Sequence, residues 1–175
     1  MRVIKLALIS ILALFMVLCF FSLMMPSTVL VSRAVDINAP ADTIKIYVRD
    51  LNQWTKWVKG MESKDVKIES AKEADLGTQV LTITSITDTT VVSIWESKKA
   101  SSQESTIRFI PAAERNLTIV QWQFVQKLKW YPWEKFGSFM NDKILGPMME
   151  DNLLHLKQLS EHQTVNFNSI TNSAQ

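Results

Sequence analysis

The chain has 175 residues, 47% of them apolar, and a formal net charge of +2. That length leaves room for one ordinary domain plus an appendage, and the apolar share is enough for a real core. Two of the 19 basic residues, Arg2 and Lys5, open the chain, and the other 17 meet 17 acids, so the rest is neutral and lacks the basic footprint that nucleic-acid binding requires.

An uncharged run from Leu6 to Met25 follows, 20 residues that as a helix measure about 30 Å, the thickness of a bilayer's hydrocarbon core. A secretory signal has a shorter apolar stretch of roughly 7 to 15 residues, closed by small residues at alternate positions. Here Leu23, Met24, Met25 and Pro26 come instead. The small pair Ser32 and Ala34 falls too late, and Leu18 before Cys19 is too bulky for a lipoprotein site. The expectation is an uncleaved transmembrane anchor over 1–26. Its positive charges lie before the span, which puts the N-terminus in the cytoplasm and the main domain outside it, periplasmic or external. Cys19 is the only cysteine and lies in the span, so the exported domain relies on its core without a disulfide.

Ser27 to Ile37 is rich in β-branched residues with a partial period of two, interrupted by Arg33, and reads as the first strand. Asn38-Ala39-Pro40 makes a helix start, with Asn38 or Ala39 as cap and Asp42 at the positive end of the dipole. Ile44, Tyr47, Val48 and Leu51 form one apolar stripe. Asp50-Leu51-Asn52 is a turn and a new cap, after which Trp54 and Trp57 share a face of a second short helix ending near Gly60.

The period then changes to two. Strands are expected over 66–70, 79–86, 90–96, 105–110 and 117–128, with separators short enough for an antiparallel meander. In the last of them Thr118, Val120, Trp122 and Phe124 alternate with polar residues, while Leu117, Ile119 and Val125 imply partial cover on the second face. A long amphipathic helix follows from about Pro132, carrying Phe136, Met140, Ile144 and Met148 every four residues, and Gly146-Pro147 is expected to kink or break it. Residues 163–175 are uncharged, polar and without a period, the signature of a disordered tail.

This order of elements is α+β, with the helices on one face of a curved antiparallel sheet. "VDINAPADTIKIYVRDLNQWTKW" and "KILGPMMEDNLLHLKQLSE" resemble the START-like superfamily, also called SRPBCC, the helix-grip group that includes polyketide cyclases and lipid-transfer domains. The resemblance covers about residues 29–161 and is greatest to the branch with an N-terminal membrane anchor. It implies a START-like domain over 27–162, a long C-terminal helix gripped by the sheet, and an apolar cavity between them. In such a fold Trp54 and Trp57 would close one end of the sheet, either lining the cavity there or, the preferred reading, serving as core pieces with no ligand contact. Lining residues implied are Trp54, Trp57, Leu81, Ile83, Ile107, Phe109, Trp122, Phe124, Phe136, Met140, Ile144 and Met148.

Signals for chemistry are sparse. Four glycines, at 60, 77, 137 and 146, assemble no phosphate cradle or nucleophile elbow, and His155 and His162 lack the i, i+4 spacing of a helical zinc site. No metal and no cofactor is expected. Glu150 is a weak candidate catalytic group: turned into an apolar cavity, it could act as acid or base, whereas the preferred reading is a solvated helix face flanked by Lys143 and Lys157. Glu96 and Arg108 occur in strands, where they either pair inward or, the preferred reading, stand at an edge or on the outer face. Trp130, Tyr131 and Trp133, among Lys127, Lys129 and Lys135, have the composition of a membrane interface. The expected function is a membrane-anchored module holding a lipid or other hydrophobic small molecule. The alternatives are a cyclase-like or hydratase-like enzyme using Glu150, and a protein-interaction domain with a filled core.

Overall fold

The structure, a computed structural model, describes residues 2–24, 26–98, 101–112, 116–129 and 131–172, with the backbone alone at 2, 132, 134, 136–141 and 163–172. Helix α1 (Arg2–Met24) precedes strand β1 (Thr28–Ile37), then short helices α2 (Ala41–Val48) and α3 (Leu51–Trp54). Strands β2 (Lys67–Ile68), β3 (Glu73–Asp75), β4 (Gln79–Ile86), β5 (Thr90–Ser97), β6 (Gln103–Ala112) and β7 (Leu117–Lys127) lead to helix α4 (Pro132–Asn172). α1 is long and apolar enough to cross a membrane, a property it shares with signal sequences.

The seven strands form one antiparallel sheet in the order β1-β7-β6-β5-β4-β3-β2. The short hairpins dictate the meander from β2 to β7, and the pairing of β1 with β7 joins the first strand to the last. A register shift between Ile83 and Ser85 in β4 adds local bend and twist, as bulges do. α4 lies against β1, so the sheet curves around it in the expected helix-grip arrangement.

Inward residues alternate as the pleat requires: Leu81 and Ile83, Val91 and Trp95, Ile107 and Phe109, Val120, Trp122 and Phe124 are all buried. Ile44, Tyr47 and Val48 of α2 close on this face with Leu51 and Trp54 of α3 and Met149, Leu153 and Leu156 of α4. Asp50 caps α3, its Oδ1 accepting from Asn52 N at 2.9 Å.

Three local expectations are corrected. Pro40, not Asn38 or Ala39, occupies the cap position of α2 and makes no side-chain cap bond. Asn38 instead donates through its backbone N and Nδ2 to Glu161 Oε1 at 2.8 and 3.1 Å, tying the β1–α2 turn to the far part of α4. A separate strand, β3, occupies part of a segment read as a separator, because Ala74 is fully buried and the hairpin completes the edge of the sheet. α4 does not break at Gly146-Pro147 but runs through it: tertiary packing of Leu145 and Met149 on the core outweighs the lost hydrogen bond. The helix continues to Asn172.

Candidate functional site

A cavity of about 470 Å³ lies between α4, the end of the sheet and the 58–66 connection. Its apolar wall is built by Val58, Met61, Val66, Leu76, Trp95, Phe124, Leu145 and Met148. Lys59, Ser63, Asp65, Thr78, Gln79 and Gln103 supply its polar part. Strand alternation puts Trp95 of β5 and Phe124 of β7 on the concave face, where their rings meet at 5.5 Å and 63°. Gly60, at φ +91°, turns the connection over the opening in a conformation that favours glycine.

Behind this wall stands an aromatic cluster. Trp54 and Trp57 meet at 5.2 Å, Trp57 and Trp122 at 5.6 Å, and Trp54 and Trp95 at 6.2 Å. Three of its indole N–H groups are satisfied within the protein: Trp54 donates to Val48 O, Trp57 to Tyr47 O and Trp122 to Ser105 Oγ. Trp95 Nε1 and Asn152 Nδ2 are buried without a hydrogen-bond partner. Asn152 Oδ1 meanwhile accepts from the backbone N of Lys59 at 3.0 Å, fixing one side of the cavity to α4.

Of the twelve residues expected to line the cavity, Phe124 and Met148 do so. Trp54, Trp57, Leu81, Ile83, Ile107, Phe109 and Trp122 are buried in the core away from it, with Trp54 one ring removed behind Trp95. Ile144 is on the outer side of α4, 64% exposed. The side chains of Phe136 and Met140 lie outside the described residues, as does Trp130. Trp95, Leu145 and Met61 were missed by sequence reasoning. Val91, Ser93 and Trp95 alternate on the buried face of β5, but strand pattern alone does not say which end of the concave face stays open.

Glu150 points away from the cavity. Arg33 Nε donates to its Oε1 at 2.6 Å, and Arg33 Nη2 donates to Asp142 Oδ1 at 3.0 Å. The two carboxylates bracket Gly146, whose missing Cβ makes room for the guanidinium: a Cβ there would stand 2.3 Å from Arg33 Nη2. This explains the charge interrupting β1, which serves as a latch between strand and helix and holds the Arg33 proton more firmly than usual, chiefly through Glu150 and then Asp142. Glu96 and Arg108 are exposed rather than an inward pair. Asp65 is the single acid among the described lining residues, and it is solvent-facing. Among the described residues no cluster of three His, Cys, Asp or Glu could hold a metal.

The family profile described as polyketide cyclase/dehydrase and lipid transport matches residues 28–161. A START superfamily protein from Mycobacterium smegmatis superposes with a TM-score of 0.58 at 18% identity, covering 77% of this chain and 98% of its own. A protein from Thermobifida fusca gives 0.59 at 13%, with 76% and 93% covered. The di-domain ARO/CYC StfQ from the steffimycin biosynthetic pathway gives 0.58 at 10%, with 78% of this chain and 52% of that one covered. No curated protein matches the chain. The structural likenesses establish the helix-grip fold, and the profile spans the whole grip from β1 into α4, so the chain belongs to the polyketide cyclase/dehydrase and lipid transport family of the START-like superfamily.

Proposed function

We propose that this protein is a membrane-anchored binding module that holds a hydrophobic small molecule, a lipid foremost, in the cavity between sheet and α4. The carrying observation is the cavity itself: about 470 Å³, walled by Trp95, Phe124, Leu145, Met148, Met61 and Val58, with polar groups of the connection and strand ends around it. That volume falls in the range of roughly 300–1,000 Å³ typical of small-molecule sites, and methionines give the wall adaptability. Trp95, whose ring lines the cavity, carries a buried N–H without a partner, which favours a ligand with one acceptor oxygen over a pure hydrocarbon. α1 supports the anchoring half of the reading by length and composition. The enzyme reading through Glu150 loses its geometry, since that carboxylate sits on the outside with Arg33.

Native mass spectrometry of the full-length protein, released gently from its own membrane, tests this. A discrete added mass that lipid analysis identifies is the expected result. A clean apo mass across mild detergents would overturn the proposal.

A further inference from the structure

The cavity and the end of α1 lie at the same pole of the domain. Thr28 pairs with Lys127, and one row further in the register links Val29, Gln126, Gln103 and Trp95 across four neighbouring strands. Two lining residues, Gln103 and Trp95, are in that row, and Phe124 pairs with Val31 only about 7 Å of strand further on. β1 begins four residues after Met24, which leaves at most roughly 14 Å between the helix end and the strand end.

α1 is also fastened to α4 at this pole. Lys135 Nζ donates to the Ser22 carbonyl at 2.6 Å, with both residues buried. That carbonyl is one of the last four of α1, which no intrahelical N–H serves, and it stands at the negative end of the helix dipole. An ammonium placed there fixes how the span leaves the domain.

The surface around this junction suits a lipid interface. Tyr131 and Trp133 stack at 4.9 Å and 8°, and Trp133 is 64% exposed. Lys127 and Lys129 are exposed beside them, and Leu30, opposite Val125, is 57% exposed. Amphipathic rings with lysines at hand are the side chains that settle at the headgroup level. At the other pole, roughly 20 Å along the strands, the β4–β5 turn is Thr87-Asp88-Thr89, wholly polar and exposed.

We infer that this pole seats on the phospholipid leaflet that α1 leaves, with the cavity mouth at headgroup level, so that a membrane-resident amphiphile passes between bilayer and cavity without crossing bulk water. The inference rests on the anchored-binding reading above and adds the direction and source of loading.

Depth measurement tests it without knowing the ligand. In a Cys19→Ser background, Ser63→Cys at the mouth and Thr89→Cys at the far turn each receive a small fluorophore. The full-length protein is then reconstituted into phosphatidylcholine–phosphatidylglycerol vesicles containing brominated phosphatidylcholine. Several-fold stronger quenching at position 63 than at 89 is expected, and Ser101→Cys at the same pole repeats it should Ser63→Cys fold poorly. Equal quenching, the reverse order, or quenching at neither position in vesicle-bound protein would overturn the inference. Bound lipid by mass with no such asymmetry would remove this inference and leave the binding module standing, whereas asymmetry with an empty cavity would remove the binding reading.

Discussion

Two tryptophans separate what a side chain does by where it stands. Trp54 is fully buried, with its N–H on Val48 O and its ring against Trp57, Trp95 and Trp122. Trp54→Ala removes that packing, leaves Val48 O unpaired, and is expected to cost about 3–5 kcal/mol in guanidinium unfolding. Trp133→Ala, at an exposed ring, is expected to change stability by under about 1 kcal/mol. Equal losses would mean that the cluster does not carry the core. Glu150 gives the complementary case: its pairing with Arg33 is solvent-exposed, and such pairs add little to stability. Glu150→Gln is therefore expected to leave both melting temperature and bound mass nearly unchanged, and a loss of bound mass would return that carboxylate to the site.

At the scale of elements, the turn between β3 and β4 carries a pH response. Gly77, at φ +80°, donates its N–H to Asp75 Oδ1 at 2.7 Å, and Lys98 Nζ lies 3.5 Å from Oδ2. The Gly77 hydrogen bond first, and Lys98 after it, hold the Asp75 carboxyl below its usual range. A carboxyl depressed in the folded state stabilises fully above its unfolded value and loses that contribution as pH falls through the folded one. Asp75→Asn is thus expected to flatten the fall of melting temperature below about pH 4, with little effect at neutral pH. An unchanged acid limb would exclude the turn as a source. Asp42 beside Lys45 and Asp151 beside Lys59 are depressed in the same direction, so the limb keeps part of its slope in the variant. The elements themselves were mostly legible in residue patterns: the alternation of β7 and the stripe of α2 match their buried faces. β3 and the unbroken α4 were not: three residues are too few to show an alternation, and Pro147 is held in the helix by the packing of Leu145 and Met149 on a core built mostly from distant strands.

For the molecule as a whole, the open volume is what distinguishes a binding module from a filled core. Met148→Trp puts a larger side chain into the wall of the cavity and is expected to abolish the added mass in native spectra while folding remains intact. A ligand at 100 times its Kd stabilises by about 2.7 kcal/mol, so the ligand-dependent rise in melting temperature should disappear in the same variant. Retention of both signals would place the ligand elsewhere.

The sequence by itself determined the periods: an apolar span of bilayer length, strands alternating inside and outside, and a long amphipathic helix, all dictated by local spacing of side chains. It determined the grip as well, through motifs at both ends of the domain. Tertiary structure decided which of the inward residues touch ligand space. Trp54, Trp57 and Trp122 bury one another, and the void remains at the Trp95–Phe124 end, because residual volume is set by how the 58–66 connection, the strand ends and α4 meet across long sequence separations. Only there did Arg33 become a latch over Gly146 and Glu150 turn outward, since a side chain's partner depends on which strand and helix face it in space.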